Sequence, residues 1–384
     1  MRKIALMLAL ALLLSLGTGW AEEAAERAEI FEAPKQIVIT FTGDCTLGND
    51  IPQRGLDSSF EAFVEKNGLE YPFAKVKDLF EQDDLTVINL EGVFKDDDTY
   101  KKDHGTYGGY NFRAPTSYAQ MLPLSGIDAA SFANNHVLDY GEAGQRSTVE
   151  ALEKQGTPWF GTNEFMNQTY VFEKDGVKVG FVAAYISDWL NTYLNLRDQL
   201  RQDVQDLRSA GCQVVIACMH GGVEYQCFHE KDSPSAYQEK MANALINYGV
   251  DIIVGHHPHT IQGMRVENGI TTLWSLGNFC FGGNPKIREN GLGESVITCI
   301  IAQFTLSFDE NGTYLGHQLN LIPAHTSGTR EYNDYQPHLV SGAEADFAIY
   351  AVKRDTTPYK VKQAMKPYVE GVGAIQDFVP APVR

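Results

Sequence analysis

The run QVVIACM at residues 213–219 is apolar at odd and even positions alike, and a strand of that kind needs cover on both faces. The runs QIVITFT (36–42), LTVINL (85–90), VKVGFVAAY (177–185) and VDIIV (250–254) share the character, and IDAASFA (127–133) and TTLWSL (271–276) are further strand candidates. Helical patterns near 72–82, 115–122, 144–155, 193–209 and 234–248 separate them. Alternation of strand and helix through residue 254 predicts an α/β fold. The later runs 295–308 and 315–322 succeed each other without a helix, which predicts an antiparallel hairpin.

The residues just past the strands carry the chemistry. Gly43-Asp44 comes after the first run and Glu91-Gly92 after the second. Asn134-Asn135-His136 comes after 127–133, His220-Gly221-Gly222 after 213–219, and Gly255-His256-His257-Pro258-His259 after 250–254. In open α/β sheets, sites lie beyond the carboxyl ends of the strands, so five such ends can meet in one crevice. Glycines belong there because the loops must turn sharply and let backbone approach a ligand. Taken singly, each residue has a plainer reading: His220 as a satisfied structural histidine, Glu91 as a helix cap or ion-pair partner, Asn135 as a turn residue. Alternation sets His257 and His259 on one side of an extended segment. Jointly the plain readings require five coincidences, and a shared site is the simpler expectation. Mixed imidazole and carboxylate donors suit Zn, Mn or Fe better than Ca or Mg.

These residues also resemble a known family. Phe41-Thr-Gly-Asp44, Asn89-Leu-Glu91, Ala133-Asn-Asn-His136 with Leu138-Asp-Tyr-Gly141, His220-Gly-Gly-Val-Glu-Tyr225, Gly255-His-His-Pro-His259 and Ser275-Leu-Gly-Asn-Phe279 stand in the order of the bacterial capsule-synthesis CapA family. That family is similar to the calcineurin-like metallophosphoesterases. The resemblance implies a four-layer α/β/β/α sandwich and a role in making or anchoring poly-γ-glutamate capsule. It implies Asp44, Glu91, Asn135, His220, His257 and His259 as metal ligands, with His256 outside the set. His136 becomes the general acid, and Asp139 its carboxylate partner or a cap of the next turn. Thr46 stands where the first phosphoesterase motif has a histidine, which leaves one or two divalent ions (Zn, Mn or Fe) as the implied cofactor. Glu224, Tyr225 and Asn278 belong to the CapA-like motifs, as substrate contacts or as buttresses of the surrounding loops.

Arg2 and Lys3 precede an apolar run, Ile4 to Leu16, which predicts a signal peptide over 1–21, or an N-terminal anchor. The domain expectations are a linker at 22–34, a CapA-like metallophosphatase-fold domain at 35–324 and a peripheral C-terminal tail at 325–384. The leader implies an exported protein, extracellular or held at the cell surface. The net charge of −18, from 49 acidic against 31 basic residues, argues against nucleic acid as a partner. The six cysteines, mostly in apolar strand-like runs, predict buried thiols rather than a disulfide framework. The run Asp96-Asp97-Asp98 reads as a solvated loop. Functionally, the expectation is a metal-dependent hydrolase or transferase of the cell envelope. Its partners would be an envelope polymer or phosphoester substrate and membrane proteins of capsule synthesis. The alternatives are a non-catalytic polymer-binding surface component and a secreted phosphodiesterase or nucleotidase.

Overall fold

The computed structural model describes residues 34–99, 101–103, 109–186, 194–229, 237–281, 293–329, 331–356 and 359–384. The expected signal or anchor, and all of the linker except Pro34, lie outside the described residues. Among those described, no helix is long and apolar enough to cross a membrane.

In chain order the main elements are β1 (Lys35–Cys45), α1 (Phe60–Asn67), β2 (Leu85–Leu90), β3 (Ala129–Ser131), α2 (Gly141–Gln155), β4 (Trp159–Thr162), β5 (Tyr170–Lys174) and β6 (Val177–Ile186). There follow α3 (Leu194–Ser209), β7 (Val214–Gly221), α4 (Tyr237–Tyr248), β8 (Ile252–His256), β9 (Met264–Glu267) and β10 (Ile270–Leu273). The hairpin β11 (Thr298–Phe308) and β12 (Tyr314–His325) precedes α5 (Gly342–Asp355) and α6 (Tyr359–Ala364). The strands lie in the order β9-β10-β8-β7-β6-β4-β3-β2-β1-β11-β12. From β1 through β4, and on through β6, β7, β8 and β10, neighbours pair in parallel. The β9–β10 and β11–β12 pairs are antiparallel.

Side-chain parity turns this order into layers. Along β7, Val214, Ile216 and Cys218 join a central apolar cluster with Ile37, Ile39 and Phe41 of β1 and Val87 of β2. The alternate residues Val215, Ala217 and Met219 fall in a second cluster with Leu200 and Val204 of α3 and Leu245 of α4. On the other half of the sheet, Ile88 and Leu90 of β2 gather with Phe60 of α1 and Leu152 of α2. The sheet therefore curls so that its two halves share one interior, and helices cover both outer faces. This is the expected four-layer α/β/β/α arrangement, and it explains why these strands are apolar on both parities.

The expected peripheral tail beyond residue 325 needs correction. Ala348, Ile349 and Val352 of α5, with Val361 of α6, belong to the central cluster beside Phe304, Leu319 and Leu321. Residues 338–339, 374–375 and 379–380 all pair with β12. The reason is geometric. α5 touches β11 and β12 from one half and β9 from the other, so it covers apolar surface that would otherwise face water at the side of the sandwich. All six cysteines are free; Cys227 is half-buried and the other five are buried.

His317 of β12 sits in the shared interior, where its Nδ1 lies 2.6 Å from the Tyr314 hydroxyl and its Nε2 lies 2.7 Å from Thr271 Oγ1 of β10. Burial pushes its imidazole down to about 3, against an ordinary value of 6.5. Between those two values the unfolded chain binds a proton that the native protein refuses. Stability is therefore full above pH 6.5 and falls as the pH drops towards 3, at up to about 1.4 kcal/mol per pH unit for this one group. Urea titrations of wild type and His317→Gln at pH 7 and pH 4.5 should show a smaller acid-induced loss in the variant. An equal loss in both would remove His317 from the account.

Candidate metal centre

The parity that builds the core also aims the site. His220 continues the inward-facing series 214, 216, 218 of β7, and it stands opposite His256, which continues the inward series 252, 254 of β8. Asn89 does the same on β2 after Leu85 and Val87. On β1 simple alternation would turn Gly43 inward. A bulge intervenes: Phe41 stands opposite Val87, but Asp44 stands opposite Asn89, so one extra residue re-aims the carboxylate. Gly43 also permits close backbone approach, since a Cβ there would lie 2.0 Å from the Gly277 carbonyl oxygen. His257 and His259 both have positive φ, 97° and 56°, a conformation non-glycine residues hold only under constraint from their surroundings.

The five strand ends do meet. His220 Nε2 lies 2.8 Å from Asn135 Oδ1, 3.1 Å from His257 Nδ1 and 3.6 Å from Glu91 Oε1. On the other side of Glu91, His259 Nδ1 lies 3.2 Å from Asp44 Oδ2, and its Nε2 lies 3.8 Å from Glu91 Oε1. Two donors each about 2.1 Å from one ion stand from roughly 3.0 Å apart when adjacent to roughly 4.2 Å when opposite, and the 3.1–3.8 Å separations fall in that range. Candidate ligand atoms of Asp44, Glu91 and His220, and of Glu91, His257 and His259, fall within 4.8 Å of one another. The sharper observation concerns Glu91 itself. Both of its carboxylate oxygens are buried, and among the described residues neither has a hydrogen-bond donor. A buried anion without donors is costly, and a cation is the usual remedy. The donor set of imidazoles, carboxylates and an amide oxygen therefore fits a divalent transition metal.

The electrostatics agree. Burial, reinforced by Asp44, Glu224 and Asp139, drives the Glu91 carboxyl well above its ordinary range. Burial alone would raise Asp44 too, but hydrogen bonds from His256 and His259 outweigh it and hold Asp44 well below. Burial and the neighbouring His257 press His220 far down, and burial with His259 takes His257 to about 3. Neutral imidazoles are the form that binds metal. His259 is the exception, because its bond to Asp44 overcomes burial and raises it.

All six expected ligands come together here. His136 and Asp139 lie beside them: His136 Nδ1 is 2.7 Å from Asp139 Oδ2, and its Nε2 is 4.0 Å from Glu91 Oε1. Asp139 Oδ2 also accepts from the Phe112 backbone N–H at 2.7 Å, which fixes the carboxylate. Asn278 Oδ1 lies 2.8 Å from His259 Nδ1, so it holds that ring in place. Tyr225 is partly exposed, with its ring 5.8 Å from that of His259, and Glu224 is exposed. Thr46 Oγ1 donates to the Gly48 carbonyl at 3.4 Å.

Sequence reasoning gave no role to two residues that the fold brings into the cluster. Asn89 donates from Nδ2 to Asp44 Oδ1 at 2.9 Å and lies 3.2 Å from His220 Nδ1. His256 places Nδ1 3.1 Å from Asp44 Oδ1. The available signal was their parity: each is polar on the inward face of a buried strand.

Fold and site define an α/β/β/α sandwich protein with a buried histidine–carboxylate cluster at the carboxyl ends of its parallel strands. The family model "Bacterial capsule synthesis protein PGA_cap" matches residues 38–283, well over half the chain and all six ligand candidates, and the chain belongs to that family. Capsule biosynthesis protein CapA of Bacillus anthracis is 26% identical over 298 residues, which take in 73% of this chain and 68% of that protein. PGA biosynthesis protein CapA of Bacillus subtilis (strain 168) is 24% identical over 273 residues, 67% of this chain and 66% of that protein. The chain thus spans about two thirds of the length of these curated relatives. Among solved structures, the NAD nucleotidase (NadN) of Haemophilus influenzae is similar at 13% identity and a TM-score of 0.41, over 84% of this chain and 56% of that one.

Proposed function

We propose that this chain is an exported, metal-dependent hydrolase or transferase of the bacterial cell envelope, acting on an acidic polymer in capsule synthesis or anchoring. The observation that carries the reading is the Glu91 carboxylate, buried and without donors among imidazole nitrogens of His136, His220 and His259. Glu91, Asn135, His220 and His257 would hold one ion, and Asp44, Glu91 and His259 a second. When bound, such ions supply Lewis acidity and the positive charge an acidic protein otherwise lacks for a polyanion. Asp139 fixes the tautomer and orientation of His136 through Nδ1, leaving Nε2 as the atom that donates a proton to a leaving group. Asn89 and Asn278 keep Asp44, His220 and His259 in register. The two Bacillus relatives, both capsule or PGA biosynthesis proteins by name, support the capsule setting, and the N-terminal apolar run supports export, with membrane proteins of capsule synthesis as partners.

Metal analysis of the purified protein tests this directly, together with assays of γ-glutamyl peptides and bis-p-nitrophenyl phosphate before and after chelation. We expect at least one equivalent of a divalent transition metal and turnover that chelation abolishes. His257→Ala should lose metal and at least about a hundredfold in rate, the scale of removing one strong electrostatic contributor. A wild type that takes up no metal sinks the reading. Turnover of the phosphodiester alone would replace the capsule substrate with a phosphoester, and metal binding without turnover would make the site a binding site.

A further inference from the structure

The end of α5 holds two segments that carry residues of the metal centre. Asp355 is buried, and its carboxylate accepts from the backbone N–H groups of His229 and Gly263, each at 2.9 Å. The buried His229 ring turns Nδ1 to the same carboxylate, 2.9 Å from either oxygen. A carboxylate only accepts, so Nδ1 carries the proton. The face of that ring lies on Trp274, with centroids 4.4 Å apart and planes 9° from parallel. Arg354 Nη2 donates to the Cys227 carbonyl at 3.4 Å, and its guanidinium stands 4.9 Å from the centre of the Phe228 ring. Thr356 Oγ1 accepts from the Met264 N–H at 3.3 Å. Residues 354–356 therefore hold 227–229 on one side and 263–264 on the other.

Both segments lead straight to the site. His229 is four residues past Tyr225, and Gly263 is four past His259. Between these points the segments are stitched together. Tyr225 N–H donates to the Pro258 carbonyl at 2.7 Å, and the Gln226 carbonyl accepts from Thr260 Oγ1 at 2.7 Å and Gln262 Nε2 at 2.8 Å. Tyr225, His257 and His259 have φ of 65°, 97° and 56°, which non-glycine residues keep only where the surroundings over-determine them. Packing alone would be served at 355 by an apolar residue, as it is at Ala351 and Val352. A buried carboxylate costs desolvation that its donors must offset. What this one adds is a fixed separation between the two segments, and so between the Tyr225 and His259 rings, 5.8 Å apart.

We infer that Asp355 is a positioning residue of the metal centre, setting His259 and the 222–229 loop against each other through His229 and Gly263. The inference deepens the reading of the cluster as a metal centre and rests on it. It makes α5, which lies beyond the residues 38–283 of the family match, part of the site.

The test uses the full chain and three variants, none of them in the ligand set. Asp355→Ala removes the acceptor. His229→Phe keeps a ring for Trp274 and removes the Nδ1 bond, while His229→Asn gives up the ring and sets an amide N–H where Nδ1–H stands. Zinc affinity, read by competition with a chromophoric chelator, should fall about tenfold in Asp355→Ala and His229→Phe, the lower end for losing the outer support of a ligand. It should stay within about twofold of wild type in His229→Asn. Chymotrypsin should cut after the exposed Tyr225 or Phe228 about tenfold faster in the first two variants, the population shift that one charged hydrogen bond controls, and at the wild-type rate in the third. If Asp355→Ala does not fold, the two His229 variants decide. Unchanged zinc affinity in His229→Phe would overturn the inference, as would equal losses in His229→Phe and His229→Asn. Failure of the metal reading shows separately, as absent zinc uptake by wild type, and the tie is then judged on the cleavage rates.

Discussion

Glu91→Gln will melt at a higher temperature than wild type in the presence of chelator and at a lower one in the presence of excess zinc or manganese. Glu91 is buried, both oxygens lack donors, and burial together with Asp44 drives its carboxyl far above the ordinary range. Without metal the native state must keep that group either protonated or charged and unsolvated, and either condition costs stability. An isosteric amide removes the charge and brings N–H groups towards ring nitrogens that can accept, those of His220 and His259 at 3.6 and 3.8 Å from Glu91 Oε1. The gain should be about 1–3 kcal/mol, the usual cost of a buried polar group without a partner. With metal the order reverses, because a ligand that binds only the native state adds RT ln(1 + [L]/Kd), about 2.7 kcal/mol at a hundredfold excess over Kd. Wild type receives that increment, and the variant, with the shared ligand gone, does not. Paired thermal melts in chelator and in metal check both halves. The same order in both conditions would mean that Glu91 is a structural carboxylate and not a ligand.

That single side chain shows what the sequence made legible. Its position directly after an apolar strand, repeated at four other strand ends, was enough to assemble the cluster, because parallel strands covered on both faces must deliver their carboxyl ends to one edge. The layers were legible for the same reason: both parities of β7 are apolar, and each parity meets a different layer. Three things were not. The bulge that turns Asp44 inward leaves no local mark, since it depends on how β1 registers against Asn89 of β2. His256 looked surplus beside His257 and His259, although it is the residue paired in register with His220, and it brings a ring nitrogen to Asp44 while Thr46 turns its hydroxyl to Gly48. The tail beyond residue 325 looked peripheral because α5 buries small residues such as Ala345, Ala348 and Ala351, whose apolar periodicity is weak. Its place in the core is set by the unfilled side of the sandwich, a tertiary demand that no local pattern encodes.

Gly43→Ala is expected to be among the most damaging single substitutions in the chain, and to take the metal site with it. A Cβ at Gly43 would stand 2.0 Å from the Gly277 oxygen and 2.9 Å from its carbonyl carbon, both backbone atoms that cannot rotate away. The neighbouring backbone is committed as well: Asp44 N–H donates to that same Gly277 oxygen at 3.0 Å, and Phe279 N–H donates to the Asp44 carbonyl at 2.9 Å. Relief therefore requires β1 to move away from the 277–279 segment, which carries off both Asp44 and the Asn278 that holds His259. The expected loss is about 3–5 kcal/mol, at the upper end for one added methyl. Gly156 makes the informative control. It caps α2 with φ of 71°, in open space, so alanine there meets only backbone strain of about 1 kcal/mol. Backbone dihedral alone would rank Gly156 as the more sensitive position; the Gly277 carbonyl reverses the ranking. Urea titrations should show that order, and metal uptake should separate the two further, reduced in Gly43→Ala at temperatures where it is still folded and unchanged in Gly156→Ala. Equal metal uptake in both would show that the bulge is not what aims Asp44.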